Sequence, residues 1–213
     1  MRPCLQFSSG GINRTTVRLR RARIFQTTEG NVKVSDIKVI VLLGSLRATS
    51  INRQLAELAV EAAPEGVSLQ LFDRLGELPF YNEDIDNDDV DEPVVALRAA
   101  AAEADAALVV TPEYNGSIPG VLKNAIDWLS RPFGNGALKD KPLAVVGAAA
   151  GQYGGVWAHD ETRKSFGIAG PRVVEDLKLS VPAKSFDGKH PRENAEVAAN
   201  LRDIVGKLAA EVA

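Results

Sequence analysis

Apolar and polar positions along this chain alternate between two periods. Ile37 to Leu43 is a nearly unbroken apolar run of strand length, closed by Gly44-Ser45. Asn52 to Ala63 follows with Leu55, Ala56, Leu58 and Ala59 at helical spacing, and Pro64-Glu65-Gly66 stops it. Val67 to Phe72 reads as a second strand. A long segment with Pro79 and an acidic run from Glu83 to Glu92 then leads into an Ala-rich helix over Val94 to Ala104. Ala106 to Thr111 is a third strand, stopped by Pro112. Ser117 to Leu129 carries Ile118, Val121, Leu122, Ala125, Ile126 and Leu129 on one helix face, with Pro119 tolerated in the first turn. Leu143 to Ala149 is a fourth strand, a helix is expected within Gly155 to Phe166, and Arg172 to Leu179 is a fifth strand. Asn194 to Ala213 closes the chain with Val197, Leu201, Ile204, Val205 and Leu208 on one face.

Strands alternating with helices specify an α/β domain, a three-layer sandwich around a five-stranded parallel sheet. In such sheets ligands sit beyond the carboxyl ends of the strands, where the strand order reverses. The loops after the first, third and fourth strands are therefore the places to look for chemistry.

Composition narrows the classes without choosing among them. The 213 residues are 45% apolar and 25% charged, as in a globular protein, and no run reaches the roughly 18 apolar residues of a membrane span. One Cys excludes a disulfide scaffold, and two His argue against a multi-His metal site. The net charge of −3 argues against nucleic-acid binding driven by bulk charge, but it is an average. Residues 1–33 hold Arg2, Arg14, Arg18, Arg20, Arg21, Arg23 and Lys33 against Glu29, a charge of +6. The rest carries 18 basic and 27 acidic side chains, a charge of −9. This basic segment lacks an apolar period and reads as a disordered extension, with a start at Val34 as its simplest origin. A transit peptide and a basic arm for anionic partners are the alternatives. The domain is expected over residues 34–213.

The first loop, Gly44 to Asn52, contains neither G-x-G-x-x-G nor G-K-[ST], so it is not a dinucleotide fingerprint or a P-loop. It places three hydroxyls and Arg47 beside a helix N-terminus, where free N–H groups and the dipole favour an anion. A phosphate monoester suits it, and a plain helix cap at Ser50 or Thr49 is the alternative. The loop after the third strand offers Tyr114 beside an Asn115-Gly116 turn, suited to a flat heteroaromatic ring or to nothing more than a surface turn. Other fragments carry less. Asn115 stands where a nucleophile elbow needs Gly, Asp84-x-Asp86-x-Asp88 lacks the Gly and Glu of a calcium loop, and His159-Asp160-Glu161 is expected on a surface helix. The acidic loop is expected to be solvated, and Cys4 lies in the basic extension.

Two motifs then become specific together. Gly44-Ser45-Leu46-Arg47-x-x-Ser50-x-Asn52, followed by Pro112-Glu113-Tyr114-Asn115-x-Ser117-x-Pro119-Gly120-x-Leu122-Lys123-Asn124-Ala125-Ile126-Asp127-Trp128, resembles the NADPH-dependent FMN reductase family. The resemblance covers roughly Asp36 to Pro182 and implies a flavodoxin-like fold with noncovalent FMN. By position, it implies that Ser45, Arg47, Ser50 and Asn52 hold the FMN phosphate and that Pro112, Glu113, Tyr114 and Asn115 line the isoalloxazine. Gly151, Gln152 and Gly154 correspond to a third flavin loop, although Ala149 replaces a Ser common in the family. Leu78 to Asn82 is similar to a segment near the flavin edge, which makes Tyr81 and Asp84 pocket or interface residues.

The implied activity is hydride transfer from NADPH or NADH to bound FMN and then to a small-molecule electron acceptor such as a quinone, azo compound, chromate or free flavin. No side chain is expected to act as a catalytic nucleophile. The alternative is a non-catalytic FMN-binding electron carrier or redox-regulated interaction protein. The family also implies a cytoplasmic homodimer or homotetramer. The helix with Lys123, Asn124, Asp127 and Trp128 is the interface candidate, because Trp128 lies off its apolar face.

Overall fold

The computed structural model describes residues 36–212; the expectations for residues 1–33 and for Cys4 lie outside the described residues. Seven residues of almost uninterrupted apolar character make β1 (Ile37–Leu43) a strand buried on both faces. Alternate side chains feed two cores. Val39, Val41 and Leu43 pack with α1 (Ile51–Glu61) and α5 (Ala195–Ala210) on one side of the sheet. Ile40 and Leu42 join α2 (Glu92–Glu103), α3 (Gly120–Leu129) and Phe166 of α4 (Val156–Ala169) on the other. With β2 (Val67–Phe72), β3 (Ala106–Val110), β4 (Pro142–Ala149) and β5 (Arg172–Pro182), the strands form one parallel sheet in the order β2-β1-β3-β4-β5. This is the flavodoxin-like order, and its switch point lies between β1 and β3.

Two expectations from the sequence are corrected. The third helix starts at Gly120 instead of Ser117. Asn115 (φ 52°) and Gly116 (φ 74°) make a two-residue turn with both centres at positive φ, and Tyr114 and Ser117 exchange backbone hydrogen bonds of 3.1 and 3.0 Å across it. That primed-turn geometry favours Asn-Gly, so the local turn wins over helix propagation.

Trp128 is fully buried and is not an interface residue. Its indole Nε1 donates to the Pro79 carbonyl at 2.8 Å, Tyr81 meets it edge-on at 5.0 Å, and Arg98 lies 5.4 Å over the ring. Asn124 on the same helix holds the same segment, donating to the Pro79 carbonyl at 2.9 Å and accepting from Tyr81 N–H at 2.7 Å. Of the polar groups that made α3 look like an outward face, Asn124 and Trp128 are directed at their own chain, whereas Lys123 and Asp127 pair with each other at the surface. The acidic loop is solvated as expected, with Glu83, Asp84, Asp88, Asp89, Asp91 and Glu92 exposed and Asp86 alone half-buried. Arg98 grips Asp86 with bonds of 2.8 and 2.9 Å and holds its carboxyl below the usual carboxylate range.

Candidate functional site

The carboxyl ends of β1, β3 and β4 bring three loops to one edge of the sheet. The first leaves β1 at Gly44, whose N–H donates to the Val110 carbonyl at 2.9 Å. A side chain at Gly44 would lie 2.5 Å from Thr111 Oγ1, so the first two loops begin in direct contact. Ser50 then caps α1, its hydroxyl oxygen accepting from Asn52 N–H at 3.1 Å. Ser45 and Ser50 are buried, whereas Leu46, Arg47, Ala48 and Thr49 are exposed. The Arg47 guanidinium has no ion-pair or hydrogen-bond partner among the described residues, and the N–H groups of residues 46–49 have no acceptor among them. A free guanidinium, two hydroxyls and orphan N–H groups at a helix N-terminus are the donor set an anionic ester needs.

Asn52 does not face that loop. Its amide donates to the Ala148 carbonyl at 2.8 Å and accepts from Ala148 N–H at 2.9 Å, closing a two-point clamp between α1 and β4. Asn52 therefore fixes the first loop relative to the third, with one of its two amide N–H donors committed to Ala148.

The second loop is bolted to α4 at three points. Glu113 accepts from Ala158 N–H at 3.1 Å, in the first turn of a helix whose N-cap, Gly155, has no side chain to offer. Ser117 donates to Glu161 at 2.6 Å, and His159 contacts the Thr111 carbonyl through Nε2 at 2.9 Å. The Glu113 carboxylate thus points at a helix end, and Pro112 is buried, so neither lines a ring through its side chain. Tyr114 is half exposed and Asn115 is exposed, and the N–H groups of Asn115 and Gly116 have no acceptor among the described residues.

His159 is not on a surface, contrary to the sequence expectation; it is fully buried on the inner face of α4. Its Nδ1 lies 2.7 Å from Ser180 Oγ. A carbonyl can only accept, so Nε2 carries the proton and Nδ1 accepts from the serine. Burial, with Arg163 as a like charge, pushes the imidazole below its ordinary value; the Thr111 carbonyl, Glu113 and Asp160 oppose the shift. A folded-state value below the unfolded one means that protonation favours unfolding. This contribution to stability is complete above about pH 6.5 and is lost as pH falls from there toward the folded value. The thermal midpoint should therefore drop between pH 7 and pH 5 more steeply for the native chain than for His159→Gln. Parallel curves for the two proteins would show that His159 is not the group responsible.

The third loop presents Gly151 and Gln152 to solvent, both with unpaired N–H groups among the described residues. Gly154 is buried, and a Cβ there would lie 2.6 Å from the backbone of Ser180 and Val181. Tyr153 and Trp157 stand exposed beside it with ring centroids 5.5 Å apart.

Between the first two loops lies an open cleft of about 460 Å³, lined by Gly44, Leu46, Arg47, Phe80, Tyr114, Pro119, Gly120 and Val121. Of the residues expected at a flavin, Arg47 and Tyr114 line it. Leu46, Phe80 and Val121 were missed, though exposed Phe80 lies inside the Leu78 to Asn82 segment that drew notice. The α3 contacts to Pro79 and Tyr81 turn Tyr81 away to Trp128 and Arg131, and Phe80 takes the cleft side. A flat apolar wall ending in a cationic, N–H-rich helix terminus fits a phosphorylated flavin.

Residues 37–185 match the family profile described as NADPH-dependent FMN reductase. A 2-hydroxy-1,4-benzoquinone reductase of Burkholderia sp is 44% identical over 127 residues, which is 60% of this chain and 68% of that protein. A quinone reductase of Pseudomonas putida is 44% identical over 170 residues, 80% of this chain and 83% of that one. Among solved structures, the flavoenzyme NAD(P)H:(acceptor) oxidoreductase FerB of Paracoccus denitrificans superposes with a TM-score of 0.72 at 32% identity, covering 83% of this chain and 97% of that one. With the donor set, the cleft and these matches agreeing, the chain belongs to the NADPH-dependent FMN reductase family and is an oxidoreductase that works with FMN and NAD(P)H.

Proposed function

We propose that this chain reduces quinones with electrons from NAD(P)H, and that the cleft at the β1 and β3 ends is where FMN and the acceptor meet. The open, largely apolar cleft with Arg47 at its rim carries this reading. Bound FMN supplies the hydride-accepting and hydride-donating chemistry. Arg47, the hydroxyls of Ser45 and Ser50, and the N–H groups at the start of α1 hold the phosphate. Tyr114 and Leu46 offer apolar faces to the ring, and the free N–H groups of Asn115, Gly116, Gly151 and Gln152 are donors for its polar edge. Phe80, 85% exposed, and Tyr114, 49% exposed, leave a flat acceptor an aromatic surface on which to stack. Quinone reductase is what the two similar bacterial proteins are named for, which favours that acceptor over azo compounds, chromate and free flavin.

No described helix is long and apolar enough to cross a membrane, and a cytoplasmic setting, where NAD(P)H is held, is part of the same proposal. So is a homodimer or homotetramer. Its support is no longer Trp128 but the exposed Phe133 and Ile168 beside a groove that also contains Ile126.

Anaerobic NADPH or NADH should bleach the flavin absorbance of the purified protein, and a benzoquinone should then restore it. A yellow protein that neither nucleotide bleaches would be an electron carrier instead. Bleaching that chromate or an azo dye reverses, but no quinone does, would reassign the acceptor.

A further inference from the structure

The buried imidazole of His159 sits where four elements converge, and the reaction described above does not use it. Thr111 is the first residue past β3, and its N–H still pairs with the Val146 carbonyl at 3.0 Å. Its own carbonyl takes no backbone N–H among the described residues and lies against Gly147 of β4. Among the described residues, His159 Nε2 is the only hydrogen-bond partner of that carbonyl. Thr111 and His159 are both fully buried, so water does not substitute. The serine on β5 fixes the other ring nitrogen, which sets both the tautomer and the ring plane. The adjacent residue, Ala158, binds the Glu113 carboxylate. The first turns of α4 therefore grip the chain on both sides of Pro112, immediately before Tyr114.

We propose that His159 is a positioning residue for the flavin: by holding the Thr111 carbonyl it fixes the peptide plane from which the Tyr114–Gly116 turn springs, and so sets FMN affinity and the potential of the bound flavin. The proposal rests on the reading that this loop binds FMN. A Thr111–Pro112 peptide free to rotate would swing Tyr114 and the free N–H groups of Asn115 and Gly116 together. Those N–H groups are the dipoles aimed at the ring edge, so their orientation bears on reduction and not only on retention.

Three variants separate positioning from filling. His159→Leu occupies the space but cannot bond to the carbonyl. His159→Gln keeps one N–H donor and one acceptor. Ser180→Ala leaves the carbonyl bond but releases the tautomer. His159→Leu should bind FMN about ten-fold more weakly, from the loss of a buried hydrogen bond, and should shift the midpoint potential of the bound flavin. His159→Gln should restore affinity to within about three-fold of the native protein and return the potential toward its native value. Ser180→Ala should fall between them.

FMN affinity and midpoint potential unchanged in folded His159→Leu, with the native protein binding FMN, would overturn the proposal alone. If His159→Leu does not fold, native affinity and potential in Ser180→Ala would overturn it. A native protein that binds no FMN would overturn the flavin reading as well. Weak binding in both His159 variants, without rescue by glutamine, would reduce the histidine to a packing role.

Discussion

Arg47→Ala should weaken FMN binding by about 10- to 100-fold, the range expected when a charge-assisted hydrogen bond to a phosphate is removed. The size of the effect follows from what Arg47 does in the free protein. It is exposed at the rim of the cleft and makes no ion pair among the described residues, so truncation disturbs no internal network. The thermal midpoint of the FMN-free protein should accordingly stay within about 2 °C of the native value, as for a surface substitution. Equilibrium dialysis with FMN and with riboflavin, which lacks the phosphate, supplies the control. The loss should appear for FMN and nearly vanish for riboflavin. Equal losses for both ligands would move Arg47 from the phosphate to the ring, and no loss for either would remove it from the site.

Gly147→Ala should produce the largest loss of stability, about 3 kcal/mol or more, since overpacking a rigid site commonly costs 1–3 kcal/mol and sometimes more. An added Cβ would lie 2.0 Å from the Thr111 carbonyl oxygen, 2.7 Å from His159 Nε2 and 3.0 Å from Asn52 Oδ1. None of the three can step aside freely. The carbonyl is backbone, the imidazole is held by Ser180, and the amide is clamped to Ala148. The midpoint of thermal unfolding should fall by roughly 6–12 °C for a domain of this size, and FMN affinity should fall with it because all three loops are displaced. Calorimetry on the FMN-free proteins checks the first part. A midpoint within about 2 °C of the native value would mean the crossing is looser than these distances say.

The sheet and most of its helices were legible in the sequence because burial on both faces leaves a strong mark: Val39 to Leu43 and Leu143 to Ala149 are apolar almost throughout. Helix starts were less legible. At Ser117 the apolar period extends back through Ile118, but the chirality of the Asn115-Gly116 turn overrides it. Of the site residues read from the sequence, Arg47 and Tyr114, where chemistry and exposure coincide, are the ones that line the open cleft. His159 was misread as a surface residue, and for Asn52 and Glu113 a reading in one dimension showed none of the backbone partners they have. Each satisfies a backbone group on an element 45 or more residues away: Ala148 for Asn52, Ala158 for Glu113 and Thr111 for His159. Trp128 fails in the same way, since Pro79, its partner, is 49 residues distant. Periodicity reports which face of a helix is apolar and says nothing of which distant carbonyl needs a donor.

The strand order has a consequence for synthesis. β1 leaves the ribosome with β2 as its only neighbour, and its other edge must wait for β3, whose far edge in turn waits for β4. The cleft walls span Gly44 to Val121, but the bolts that set them, at Ala148, Ala158 and His159, emerge later. A nascent chain ending after α3 holds every residue that lines the cleft and yet lacks the parts that shape it. On the proposed flavin reading, capture is a late event in the life of the polypeptide, and FMN acts by mass action on an already assembled sheet instead of templating it.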